Sequence, residues 1–323
     1  MRILIYLIIC FFLPLFSHSQ NIFIKYIGNS DDAIMLTCHS IESLQTPTVL
    51  NKNNRFLEVP TSNSTTLLCN QITRNTLIYA APNETIELDI NNKGLLHYYC
   101  NSNRYRKLES EFINDCFEKF GKTENVLNFN ELKQIRLLNG TSKYFDKQYI
   151  KERELLEDYY KNDKISKEFY IYFTKMFWCL IKFNELEEKI INPETFLAIE
   201  NSFKESEELL NIEGYKDLLW NYVEKSIKKR DLKNDLYTKM DFISKNISNQ
   251  KIIDYLLYSH INSALNDQFV KKDVDKQSIE LFRNNCKNKV YLDAINLDLQ
   301  PKNTPIILQN IIKKHKGKLV LVD

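Results

Sequence analysis

Cysteine is the residue type in this sequence with the most chemical reach. Cys10 is followed by Cys38, Cys69, Cys100, Cys116, Cys179 and Cys286. A cysteine attacks as its thiolate, and thiol–disulfide exchange needs a second thiol close by to release the mixed disulfide. A Cys-x-x-Cys pair at a helix N-terminus meets both needs, because the helix dipole lowers the pKa of the leading thiol. No two cysteines of this chain have that spacing, so no catalytic pair can be read from it. Cys286, within Arg283-Asn284-Asn285-Cys286-Lys287, stands alone in a basic stretch that reads as exposed. Cys179, within Met176-Phe177-Trp178-Cys179-Leu180-Ile181, reads as a buried core thiol on an apolar helix. Cys38 and Cys69 both fall in expected strands, where they form either a structural disulfide across a sheet or two buried thiols.

Other chemistry is sparsely represented. Downstream of the leader the histidines are His39, His97, His260 and His315, and no pair has a metal-ligand spacing. His97, in Leu95-Leu96-His97-Tyr98-Tyr99, reads as a strand histidine satisfied by its neighbours. Asp31-Asp32 offers two carboxylates to a cation or, more simply, makes a turn. With 6 glycines in 323 residues, a glycine-built phosphate cradle is all but excluded, and no dinucleotide or nucleophile-elbow motif occurs. The sequence therefore names no catalytic, metal-binding or cofactor-binding residue and implies no cofactor. With 44 basic and 42 acidic residues the net charge is +2, which gives no footprint for nucleic acid.

The elements that would position these residues divide the chain into four stretches. Residues 1–19 read as a signal peptide: Arg2 is the basic lead, Ile3 to Leu13 the apolar core, and Ser17-His18-Ser19 the small-residue site before Gln20. The apolar run is short for a membrane span, so export to the periplasm or cell envelope is expected, with no transmembrane segment after cleavage. Residues 20–102 alternate with period 2 between Asn-, Asp- and Pro-containing turns, which predicts an antiparallel β-sandwich-like domain. Within it, Thr48-Val49-Leu50 and Arg55 to Val59 read as a hairpin around Asn51-Lys52-Asn53-Asn54. Residues 103–288 read as an all-helical domain. One stripe is Ile165, Phe169, Tyr172, Met176, Leu180 and Phe183, and Pro193 opens a further helix. In residues 289–323, Val290 to Leu297 returns to β character, Ile306 to Ile312 reads as a short helix or a strand-to-helix segment, and Leu319-Val320-Leu321-Val322 as a buried strand.

The last stretch carries a family resemblance. Lys316-Gly317-Lys318-Leu319-Val320-Leu321-Val322-Asp323 resembles the first central strand of TlpA/ResA-type thioredoxin-like thiol–disulfide oxidoreductases, just before their Trp-Cys-x-x-Cys motif. Ala81-Pro82-Asn83-Glu84-Thr85-Ile86-Glu87-Leu88 resembles the strand–turn–strand element of small β-domains that precede such parts, with Asn83 and Glu84 where Gly and Asp are usual. The resemblance implies an α+β chain ending in the first elements of an incomplete thioredoxin-like α/β domain. It implies the accessory or targeting portion of a periplasmic oxidoreductase, silent as it stands, with disulfide-bearing exported proteins as partners. A complete exported binding or scaffold protein without catalysis is the other expectation.

Overall fold

The computed structural model describes residues 21–28, 34–38, 48–60, 65–71, 74–90, 96–119, 142–188, 190–205, 209–212, 214–266 and 274–299. The expected signal peptide, Asp31-Asp32, His39, the segment expected to be a short helix at 306–312 and the family-like segment at 316–323 lie outside these residues. The described chain is α+β and falls into two units, residues 1–222 and 223–323.

The first unit begins with strands β1 (Asn21–Tyr26), β2 (Ile34–Cys38), β3 (Thr48–Leu50), β4 (Phe56–Pro60), β5 (Thr65–Gln71), β6 (Arg74–Ala80), β7 (Thr85–Ile90) and β8 (Leu96–Cys100). They form two four-stranded sheets, ordered β4-β1-β7-β8 and β3-β2-β5-β6. The pairing is antiparallel except between β1 and β7, which run parallel, so the expectation of a purely antiparallel domain is corrected at that pair. Alternation follows the period-2 reading: Ile22, Ile24 and Tyr26 are buried on β1, Ile86 and Leu88 on β7. Gly28 is needed beside Tyr26, because a Cβ there would lie 2.6 Å from the buried phenol oxygen.

The expected hairpin at Asn51–Asn54 is half right. Asn51 and Asn54 exchange both backbone hydrogen bonds, and the Asn51 side chain accepts from Asn53 N at 2.8 Å. Yet β3 and β4 then enter different sheets, β3 pairing with β2 and β4 with β1. The local turn chemistry was legible; the longer partners that captured each strand were not.

Among the described residues the strands are followed by α1 (Arg104–Lys119), α2 (Ser142–Lys161), α3 (Lys167–Leu186) and α4 (Pro193–Ser202). Asn192 caps α4 by accepting from Glu194 N, with Pro193 at the first helical position. The predicted stripe of α3 is buried from Phe169 to Phe183, together with Ile165 just before it. Helix α5 (Tyr215–Lys229) carries the division between the units, with Leu218, Leu219, Tyr222 and Val223 buried as its spacing predicts.

The second unit continues with α6 (Leu236–Asn246), α7 (Gln250–Asn266), α8 (Lys276–Asn285) and α9 (Lys289–Leu299). Asp235 and Asp275 cap α6 and α8 by accepting from Thr238 N and Ser278 N. Helix α9 replaces the strand expected at Val290 to Leu297. Its physical cause is a helix start the alternation had hidden: Asn288 Oδ1 accepts from Val290 N at 2.9 Å. Tyr291 and Ile295, four residues apart, then become the buried pair, and Tyr291 stacks on Tyr258 of α7 at 4.4 Å between centroids.

Candidate functional site

The densest polar cluster among the described residues is built where the β7 turn meets α1. Asn83 adopts φ 66°, the left-handed conformation asparagine tolerates, and donates its N–H to Asn21 O at 2.8 Å. That turn presents Glu84 to the start of α1, where Asn103 Oδ1 accepts from Arg106 N at 3.0 Å. The Arg106 guanidinium donates from Nε to Glu84 Oε1 at 2.6 Å and from Nη2 to Glu84 Oε2, a two-pronged grip. Its Nη1 donates to Glu109 Oε2, one turn along α1, and Nη2 also reaches Tyr79 O at 3.2 Å on β6. The remaining Glu109 oxygen accepts from Ser166 N at 3.0 Å and from the Ser166 hydroxyl, and Ser166 caps α3. Ser102 Oγ donates to Glu84 Oε1 at 3.0 Å.

An aromatic roof covers this network. The Arg106 guanidinium lies 4.8 Å from the Tyr79 ring centroid, and that ring meets Phe169 and Tyr172 of α3 at 5.2 and 4.9 Å. Burial alone would push the Glu84 carboxyl up, but the hydrogen bonds and charge of Arg106 outweigh it and hold it below the usual carboxylate range. Burial would likewise weaken the Arg106 cation, and Glu84 and Glu109 reverse the sign so that it stays charged. Tyr98 is pushed well above the ordinary phenol value, chiefly by burial and against the lowering charge of Arg106.

Chemically, this arrangement holds charge without offering it. Glu84 and Arg106 are each 8% exposed and Glu109 1%, so the carboxylates are largely withdrawn from solvent, and every oxygen of both already accepts a hydrogen bond. The cluster ties a β-turn, α1 and the start of α3 into one piece.

The thiols are similarly withdrawn. Cys100, Cys116, Cys179 and Cys286 are buried and outside any disulfide. Cys179 is the core thiol its apolar helix predicted. Cys286 corrects the expectation of exposure: it is 2% exposed, because the chain turns inward at the end of α8. Burial pushes its thiol up to about 11, with Asp254 adding to the rise, and burial raises the Cys100 thiol as well. The strand register sets Cys38 opposite Leu67 and Cys69 opposite Leu36, a diagonal pair on the neighbouring strands β2 and β5. His97 meets the satisfied reading, with Tyr99 Oη 3.4 Å from its Nδ1.

Two open cavities flank α4. One, of about 360 Å³, lies among Lys182, Glu185, Asn192 and Thr195, where Glu185 accepts from both Lys182 Nζ and Thr195 Oγ1. The other, of about 270 Å³, lies against Trp178, Ala198, Asn201 and Leu209. Among the described residues no group of three or more His, Cys, Asp or Glu side chains is placed to hold a metal ion, and no helix is long and apolar enough to cross a membrane.

Sequence reasoning named none of the Arg106 cluster as a site. Only Glu84 drew notice, as a departure within the turn. The partners lie 22 residues apart for Glu84 and Arg106 and 57 for Glu109 and Ser166, beyond any local pattern. No family model, no curated protein and no solved structure matches the chain.

Proposed function

We propose that this chain is an exported binding or scaffold protein that performs no thiol chemistry of its own. The observation that carries the reading is the state of the thiols: Cys100, Cys116, Cys179 and Cys286, whose side chains are described, are buried, and Cys100 and Cys286 sit above the ordinary thiol range. At pH 7 a thiol with a pKa near 11 is thiolate about one part in ten thousand, too little for rapid exchange. The saturated Arg106 network supports the same reading, since it spends its charges on rigidity. The second reading, an accessory portion of a TlpA/ResA-like oxidoreductase acting near disulfide-bearing exported proteins, rests on the sequence of Lys316 to Asp323.

The test is reduction of insulin by dithiothreitol in the presence of the purified chain. The proposal expects the rate of the reagent alone. A catalysed rate that disappears when one pair of cysteines is replaced by serine overturns it. The export part is read separately: protein recovered from the envelope should begin at or near Gln20, and a retained Met1 contradicts export.

A further inference from the structure

The sheet β4-β1-β7-β8 buries one face through Ile22, Ile24, Ile86, Leu88 and Tyr98. Its other face is built in rows that run across the strands. The register sets Phe56, Lys25, Glu87 and Tyr99 side by side on β4, β1, β7 and β8. Phe23, the neighbouring outward residue of β1, meets the Phe56 ring at 6.1 Å between centroids. Phe56 is 52% exposed, on an edge strand. An open aromatic on a sheet edge is a pairing and aggregation hazard, so its presence asks for a use. Between the aromatic ends of the row lies the Lys25–Glu87 ion pair at 3.7 Å, and Glu58 and Asp89 take further outward positions on β4 and β7.

We propose that this face binds a neutral polysaccharide chain laid across the strands. Phe56 and Tyr99 stand three strand spacings apart, about 14 Å, the span of a short oligosaccharide. The negative face of an aromatic ring attracts the polarised C–H groups on the flat side of a pyranose. The groups between and beside the rings suit its hydroxyls: Glu58, Glu87 and Asp89 accept from them, and the Lys25 ammonium donates to them. An apolar partner would strand these charges. An anionic partner would meet three carboxylates against one ammonium. A neutral chain of hydroxyls satisfies donor and acceptors alike. The inference rests on the reading of the chain as an exported binding protein and gives that reading a ligand class. Insulin reduction and N-terminal sequencing test the earlier reading without involving this face.

The test is isothermal titration calorimetry of the purified full chain with soluble mixed-linkage β-glucan, arabinoxylan, galactomannan and dextran, and with poly-lysine and heparin as charged comparators. The proposal expects saturable binding to at least one of the neutral polymers, unchanged at raised salt because no net charge is neutralised. Phe56→Ala should weaken that binding about tenfold, and Phe56→Trp should retain it. Phe56 is exposed, so both variants should keep the wild-type circular dichroism and unfolding midpoint. Binding to none of the neutral polymers overturns the proposal. So does equal affinity in the wild type and Phe56→Ala, which would put the sugar elsewhere. Binding to poly-lysine or heparin alone also overturns it, in favour of a charged partner. Sedimentation of the chain without polymer supplies a last check: a dimer that Phe56→Ala dissolves would make a second copy the occupant and overturn the assignment to sugar.

Discussion

In residues 1–222 the principal buried polar groups are ionised, with Arg106 gripped between Glu84 and Glu109 under the Tyr79 ring. In residues 223–323 the buried histidine is kept neutral. His260 on α7 is 3% exposed, and burial, helped by the charge of Lys239, lowers its imidazole to about 3. Lys239 itself is held by Glu224 at 2.6 Å. Both arrangements are stable at neutral pH, for opposite reasons. An ionised network is favoured because each charge has a partner, so its weak point is loss of one member. A neutral imidazole is favoured because it avoids charge, so its weak point is acid.

The comparison can be broken most forcefully at Arg106. Arg106→Met leaves Glu84 and Glu109 buried without their cation, and should cost the first unit about 3–5 kcal/mol in denaturant unfolding. Replacing all three together, as Glu84→Leu, Arg106→Met and Glu109→Leu, removes the stranded charges and should recover most of that loss. A triple variant as unstable as the single one would show that the network contributes more than mutual neutralisation. Because the Glu84 carboxyl is held low in the fold, its contribution is complete above the unfolded carboxylate value of about 4.3. It is lost only as pH falls through the lower folded value.

The next effect separates the units by pH. The folded imidazole of His260 titrates near 3 and an unfolded one near 6.5, so the unfolded chain binds the proton first. Stability of the second unit is therefore full above about pH 6.5 and declines as pH falls toward 3. Between pH 7.5 and 5 the loss should be about 2 kcal/mol. His260→Leu should flatten that segment of the stability profile, and an unchanged slope would remove His260 as its source.

Smaller effects sharpen the same contrast. Asn83→Ala forces a Cβ-bearing residue without a polar side chain into φ 66° and should cost about 1 kcal/mol, while Asn83→Gly should be nearly neutral. Ser278 is fully buried on α8, and its hydroxyl has no hydrogen-bond partner among the described residues. Ser278→Ala should raise the unfolding midpoint, by about 1 kcal/mol in stability. A fall would mean that a water or another group satisfies the hydroxyl.

In both units, what the sequence discloses follows the range of the interaction. Apolar periodicity set out the stripes of α3 and α5, because a core face repeats every three or four residues and local patterns suffice. The Pro82-Asn83 turn was legible for the same reason, its φ requirement being written in one residue. Helix α9 was misjudged because a short apolar run with alternating polar residues satisfies both periods, and the deciding cap, Asn288, lay just outside it. The parallel β1–β7 pair and the Arg106 cluster were hidden because their partners are distant in sequence. Cys286 shows the remaining difficulty: charged neighbours along the chain described its sequence context, while its burial was decided by the turn after α8.

Hydrogen exchange resolved by residue, on the wild-type chain at pH 7.5 and pH 5.0 and corrected for the intrinsic pH dependence, tests this contrast most directly. The amides of α7 around His260 should lose about thirtyfold in protection at the lower pH, corresponding to about 2 kcal/mol, while those of β7 and α1 around Glu84 and Arg106 stay within a few-fold. Equal losses in both regions, or a loss confined to α1, would contradict the assignment of a neutral buried histidine to one unit and an ionised network to the other.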